Sequence, residues 1–348
     1  MIERIAVVLI AGIGDFFLAV PALKALRRKY PQAKIWLASS QKAAAYARGC
    51  GAVDHVVAFP EPAGMASWPA LARAALELRS FKPDAAVNFY EIGTRRGDAR
   101  MKLLFRFMAA KQSYGRRTPL FGAYFDKYVT EDPGDTRTQA DYYAALCEML
   151  GAPLGPVLPD WLWTGEYAER AAVEFLAARL GHGPLVGINP ASARKSRHWQ
   201  PERFAEVADR LVREKGAEIV ILGGPSDIAL ARQVAVRMAS NPLVAAGRFP
   251  LEGTLALVKR LDLLVTVHSA LMHAANIMEV PFVCLSGPGN MVKDGPYGGD
   301  PARRVIVPPG ASCAPCERED CADMSCMKGI SADSVYEAAA RLLPGGKT

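Results

Sequence analysis

Short apolar runs alternate with amphipathic stretches along most of the chain. Arg4 to Ile10, Lys34 to Ser39, Val53 to Val57 and Pro83 to Asn88 are too short for helices and rich in β-branched or small residues. Runs of this kind read as strands buried on both faces. Between them Phe16 to Tyr30 and Leu71 to Arg79 carry a helical period. In the first of these, Leu18, Leu23 and Leu26 fall on the inner side and Arg27-Arg28-Lys29 form a basic end. Pro21 falls early in it, where a proline costs least. Gly151 to Pro159 is the densest Pro/Gly patch in mid-chain and reads as a linker. Beyond it the alternation restarts: helix Tyr167 to Leu180, strand Leu185 to Asn189, helix Pro201 to Lys215, strand Glu218 to Leu222. Leu263 to Val267 is a further strand, Ala270 to Met278 a helix, and Phe282 to Leu285 another strand. Pro281 stops that helix because it cannot continue the hydrogen-bond ladder. The alternation predicts an α/β protein with doubly wound parallel sheets in two domains, residues 1–155 and 156–330. A C-terminal helix and tail, 331–348, follow. Two similar halves on one linker imply a cleft between them, although no residue-level repeat relates them.

Composition supports a globular reading. The 348 residues suit two ordinary cores, with 51% apolar and 22% charged positions. No apolar run approaches the ~20 residues that span a bilayer. Ile5 to Ile13 lacks the basic leader of a signal peptide and runs into a glycine turn and a helix. The expectation is therefore a cytoplasmic chain whose seven cysteines stay reduced. The net charge of +7 lies almost wholly before residue 160, and much of it between Arg95 and Arg117. There Arg95, Arg96, Arg100, Lys102, Arg106, Lys111, Arg116 and Arg117 face the single acid Asp98. Such a run is either a solvated helix face or a surface for an anionic partner: an acidic membrane, a phosphorylated acceptor or nucleic acid. Interleaved aromatics are sparse, so nucleic acid is not expected as a partner.

Three loops carry candidate chemistry. Ligands of parallel sheets sit at the carboxyl ends of strands, where helix N-termini present N–H groups and partial positive charge. A phosphorylated ligand would thus lie over Ser269 and Ala270, with His273 one turn into the helix. The alternative is an ordinary crossover with a core histidine. After strand 185–189, Ser192 and Ala193 are small enough for close backbone approach, and Arg194, Lys195 and Arg197 supply cations for a diphosphate. The third loop is Gly223-Gly224-Pro225-Ser226-Asp227. At the first strand the dinucleotide fingerprint fails, because its third glycine would fall on Phe17. What remains is Gly14-Asp15, in which Asp15 either caps the helix or serves as a general base.

Four cysteines, Cys313, Cys316, Cys321 and Cys326, crowd a segment after Pro308-Pro309-Gly310. Four thiolates suit a structural zinc or a mononuclear iron, and a loop of free thiols is the alternative. Cys50, Cys147 and Cys284 read as core residues.

GIGD with LAVPALKALRRKYPQAKI, NPASARKSRHWQPERFAEVADRL, VILGGPSD and HSALMHAANIMEVPFVCLSGP together resemble glycosyltransferase family 9, the bacterial ADP-heptose:lipopolysaccharide heptosyltransferases and their relatives. The resemblance implies a GT-B fold: two Rossmann-like domains facing a cleft. It implies an inverting transfer with no metal in the chemistry and an ADP-heptose-like nucleotide-sugar donor on the C-terminal domain. The acceptor, an anionic glycolipid such as lipopolysaccharide core, would bind the N-terminal domain at the inner face of the membrane. Residue by residue, Asp15 matches the family's general base, and Gly14, Arg95, Arg96 and Arg100 fall on the acceptor side. Ser192, Ala193 and Arg194 belong to the phosphate loop, and Arg197 stands where the family usually has a lysine. Asp227 is a candidate for the ribose. His273 matches the histidine of the family's D-[ST]-G-x-x-H motif, but His268 replaces its aspartate and Ala270 its glycine, with Ser269 between them. That departure leaves a second reading open, a diverged or non-catalytic nucleotide-sugar-binding protein with another donor or a protein acceptor. A GT-B epimerase is a more distant reading. Similar cysteine-rich tails occur in the family, some holding structural iron.

Overall fold

The computed structural model describes residues 2–60, 68–132, 134–178 and 181–343. The last two positions of the helix expected over 167–180, and the tail from 344 on, lie outside the described residues. The chain divides into two compact units, Met1–Pro156 and Val157–Thr348.

The first unit runs β1 (Arg4–Leu9), α1 (Ile13–Lys29), β2 (Lys34–Ser40), α2 (Gln41–Ala47), β3 (His55–Phe59), α3 (Trp68–Phe81), β4 (Ala85–Asn88), α4 (Arg95–Met108), β5 (Gln112–Arg117), β6 (Lys127–Thr130) and α5 (Gln139–Met149). Its strands are all parallel, in the order β3-β2-β1-β4-β5-β6. Two expectations need correction. The glycine turn is the first turn of α1, which begins three residues early because Asp15 supports its N-terminus. Pro21 therefore sits mid-helix, buried, where its ring removes one ladder hydrogen bond. The third strand starts at His55 because Asp54 is spent on its neighbours: its carboxylate accepts from the Ile35 N–H at 2.7 Å and pairs with Arg27 at 2.5 Å.

The second unit runs α6 (Glu166–Leu176), β7 (Leu185–Asn189), α7 (Pro201–Lys215), β8 (Glu218–Ile221), α8 (Ile228–Ala235), β9 (Leu243–Val244), α9 (Leu251–Val258), β10 (Leu263–Val267), α10 (Ala270–Ile277), β11 (Phe282–Leu285), β12 (Arg304–Val307), α11 (Ser325–Lys328) and α12 (Ala332–Leu342). Its parallel order is β12-β11-β10-β7-β8-β9. Numbered from its own first strand, that is the order of the first sheet reversed in direction of reading. The repeat that no residue comparison reveals is present in the topology. One face of this sheet offers Val186, Ile188, Val265, Val267, Val283 and Leu285 to Phe204, Val207 and Leu211 of α7 and Val335 and Ala339 of α12. Each such side chain, fully buried, contributes ~1.5–3 kcal/mol of transfer free energy. The C-terminal helix α12 is thus part of this core.

Candidate functional site

Both sheets reverse strand order between their first and fourth strands, and open α/β sheets bind ligands in the crevice at that point. In the second unit it lies between the carboxyl ends of β7 and β10, whose Asn189 and Thr266 face each other in register. The Asn189 amide donates to Thr266 Oγ1 at 2.8 Å, to Ser269 Oγ at 2.9 Å and to the Ala191 carbonyl at 3.3 Å. This buried amide ties the small-residue loop to the N-cap of α10. Asn189 and Thr266 were not among the residues singled out from sequence, although a polar residue at or next to the end of an apolar strand is the signal that marks them.

Around this knot the structure gathers Arg194, Arg197, His268 and His273. Arg197 Nη1 reaches the His268 carbonyl at 3.5 Å, and its buried Nε has no hydrogen-bond partner among the described residues. Burial, and then the charge of Arg194, lower the pKa of its guanidinium. His268 and His273 lie edge to face with ring centroids 6.1 Å apart, and the Nδ1 atom of each is buried without a partner among the described residues. Burial, then Arg197 and then His273, push the His268 pKa down to about 2. Burial and then Arg197 push His273 down to about 3. Both rings are therefore neutral at any ordinary pH, and the charge of the crevice is carried by arginine. Gly289 leaves room for His268: a Cβ there would stand 2.1 Å from His268 Nδ1.

Ser192 and Ala193 precede these arginines, half-buried and exposed respectively, and the Ser192 carbonyl accepts from His198 Nε2 at 2.9 Å. Ser269 stands at the N-cap position of α10, and Ala270 is its first residue. Asp227 lies after β8 and is engaged in its own turn: its carboxylate accepts from the Gly224 N–H at 2.8 Å and from Ser226 Oγ at 3.0 Å.

In the first unit the equivalent crevice is flanked by the ends of β1 and β4. Asp15, at the third position of α1, accepts from the Gly12 N–H at 3.0 Å. This is the capping role open to it, and it occupies Oδ2. Gly14 and Asp15 are half-buried. Tyr90, just past β4, is close enough to Asp15 for that charge to add to burial in raising the tyrosine pKa. Behind it Glu91 accepts from Gln139 at 2.6 Å, and buried Arg116 pairs with Glu131 at 2.6 Å while lying over the Tyr142 ring. Arg95, Arg96 and Arg100 are exposed on α4. Asp98, in the first turn of the same helix, accepts the Gly122 N–H at 2.9 Å.

The four cysteines of 313–326 are free thiols. Cys326 is close enough to Cys313, Cys316 and Cys321 for their charges to raise its pKa, after the larger effect of burial. Among the described residues, however, no three His, Cys, Asp or Glu side chains are arranged to hold a metal ion.

The profile of glycosyltransferase family 9 (heptosyltransferase) matches residues 98–326. The chain belongs to glycosyltransferase family 9. Lipopolysaccharide heptosyltransferase 2 of Salmonella typhimurium is 30% identical over 112 residues, a segment covering 31% of this chain and 32% of that relative. The chain thus matches about a third of that curated relative's length. The family 9 glycosyl transferase of Veillonella parvula superposes with a TM-score of 0.81 at 27% identity, covering 98% of this chain and 97% of its own. E. coli ADP-heptose lipopolysaccharide heptosyltransferase II superposes with a TM-score of 0.73 at 18% identity, over 97% and 98% of the two chains. The two six-stranded parallel sheets with flanking helices are the family 9 GT-B architecture. Among the described residues, no helix of this family 9 chain is long and apolar enough to cross a membrane.

Proposed function

We propose that this family 9 member is an inverting glycosyltransferase. It moves heptose, or a related sugar, from an ADP-sugar to an anionic acceptor of the lipopolysaccharide-core type. The observation that carries the reading is the crevice at the end of β10. A half-buried arginine whose buried Nε is unpartnered among the described residues stands there beside the N-terminus of α10, the arrangement that a diphosphate completes. Arg194 and Arg197 bind the phosphates, Ser192, Ala193, Ser269 and Ala270 bring backbone close to them, and Asp227 meets the ribose from its turn. His268 and His273, both neutral, offer hydrogen bonds in place of charge. Asp15 takes the proton from the acceptor hydroxyl as that oxygen attacks the anomeric carbon and the nucleoside diphosphate leaves. No metal is needed in this chemistry, because the arginines and α10 stabilise the leaving diphosphate. Gly14, Arg95, Arg96 and Arg100 receive the acceptor. The E. coli structural relative, an ADP-heptose enzyme by name, supports the choice of donor.

The test pairs binding with turnover. A thermal-shift screen against ADP-heptose, ADP, UDP, GDP and TDP should raise Tm with the adenine compounds alone, since a ligand of the native state stabilises by mass action. Asp15→Asn keeps an acceptor for the Gly12 N–H but removes the base. Its turnover should fall by a factor of about 10²–10⁴ with unchanged ADP affinity. A shift with another nucleotide would move the donor. Retained turnover in the variant would remove Asp15 from the chemistry. Nucleotide binding with no transfer to any lipid or protein acceptor would favour the diverged, non-catalytic reading.

A further inference from the structure

The cysteine segment is built into the donor crevice through its backbone. The carbonyl of Glu317 accepts from Arg194 Nη1 at 3.2 Å, and that of Arg318 from Ser196 Oγ at 2.6 Å. On its other side, the N–H groups of Cys316 and Glu317 both donate to the Pro288 carbonyl, at 3.2 and 2.9 Å. Three consecutive residues, 316–318, thus hold the arginine loop and the turn after β11 at once. That turn contains Gly289, which sits against His268. The far end of the segment is anchored to the core. The Gly310 N–H donates to the Cys326 carbonyl at 2.8 Å, and Trp199 Nε1 donates to the Ile330 carbonyl at 3.2 Å. Cys313 is exposed and Cys316 and Cys321 are half-buried, whereas Cys326 is buried. Of the three reachable thiols, Cys313 and Cys316 are the pair that includes a strut residue, spaced Cys-x2-Cys.

We propose that Cys313 and Cys316 are a thiol-modification site, in which a disulfide closed between them shifts residues 316–318 and weakens binding of the donor's diphosphate. A Cys-x2-Cys bridge demands a Cα separation of roughly 4.4–6.8 Å and a fixed dihedral. Residue 316 carries both the reacting sulfur and a strut N–H, so the ring cannot close without bearing on that hydrogen bond. The oxidant is a low-molecular-weight disulfide. One cysteine thiolate attacks it and releases a small thiol. The second cysteine then attacks the mixed disulfide and releases the other. Two cysteines are oxidised, one small disulfide is reduced to two thiols, and the cysteine protons go to those thiols. The effect on binding rests on the donor-site reading; the movement of the loops does not.

Full-length protein is oxidised with glutathione disulfide, mapped by peptide mass spectrometry and titrated with ADP by calorimetry, with metal content measured on the reduced sample. Hydrogen exchange over 191–198 and 286–289 is followed in parallel. The expected result is a 313–316 bridge, ADP affinity weaker by about tenfold, faster exchange in both loops, and full reversal by dithiothreitol. Cys313→Ser and Cys316→Ser should each bind ADP as the reduced protein does and lose the response. A mapped bridge that leaves affinity and exchange unchanged overturns the proposal. So does a stoichiometric metal that must be removed before any bridge forms. If reduced protein binds no nucleotide, the donor reading fails. Accelerated exchange on oxidation would then uphold the strut, and unchanged exchange would sink it.

Discussion

Asp15 shows how one side chain answers to two constraints. Its place at the third residue of α1 is dictated locally, by an exposed Gly12 N–H that needs an acceptor. Its place at the end of β1 is dictated by the sheet. Sequence alone leaves the two roles as alternatives; the structure shows the capping one, made through Oδ2. His268 is the opposite case. Nothing local distinguishes a charged from a neutral histidine there. Burial decides it, together with the guanidinium of Arg197. The space for its ring depends on Gly289, so Gly289→Ala should push a methyl group into His268 Nδ1. We expect a lower Tm and ADP affinity reduced by about an order of magnitude, with overpacking costing about 1–3 kcal/mol. Gly93, where an added Cβ meets nothing within 4 Å, is the control position, and Gly93→Ala should leave both unchanged.

Among the elements, α4 carries two cations at its N-terminus beside the acid Asp98. Arg95 and Arg96 stand in its first turn, where the helix dipole already presents partial positive charge. Each cation there costs a few tenths of a kcal/mol or more. The basic run was legible in the sequence, and its helical form follows from the period of Met101, Phe105 and Met108, which are buried while the arginines are exposed. Arg116 departs from the rest of the run: it lies within β5 and is buried against Tyr142, a structural cation rather than a surface one. Replacing Arg95, Arg96 and Arg100 together by Glu should therefore hold or raise thermal stability while weakening association with anionic vesicles or glycolipid. The loss should shrink as salt screens the reference interaction. Vesicle sedimentation at two ionic strengths checks it, and unchanged binding would remove α4 from the acceptor surface.

On the scale of the whole molecule, the buried neutral histidines couple the stability of the fold to pH. An unfolded histidine takes up a proton near its ordinary value of 6.5, whereas folded His273 does so only near 3. Between those values the unfolded state binds more protons, so stability falls as pH falls from about 6.5. The slope reaches about 1.4 kcal/mol per pH unit for each such histidine. His273→Gln should flatten the fall between pH 6.5 and 4.5 in urea titrations, and an unaltered slope would show that the ring is not held neutral. Asp84 acts lower on the scale. The Lys111 ammonium first, and then the N–H groups of Glu3 and Arg4, hold its carboxyl at about 2 against burial. Its contribution is present above the ordinary carboxyl range and is lost as pH falls toward 2.

The strands β1, β7, β10 and β11, and the helices α7 and α10, could be read from the chain because period and turn chemistry are local properties. The parallel α/β class follows from their alternation. The loops that follow β7 and β10 were legible for the same reason: each is a strand end followed by small or cationic residues. Tertiary structure decided what depends on neighbours distant in sequence. The reversal of strand order that puts Asn189 opposite Thr266 is one such case, and the protonation of His268 and His273 is another. The most distant is the strut of 316–318, whose hydrogen bonds run through backbone atoms that every residue possesses. Residue type carries no trace of where a carbonyl points, so only the folded chain could place Glu317 and Arg318 against Arg194 and Ser196.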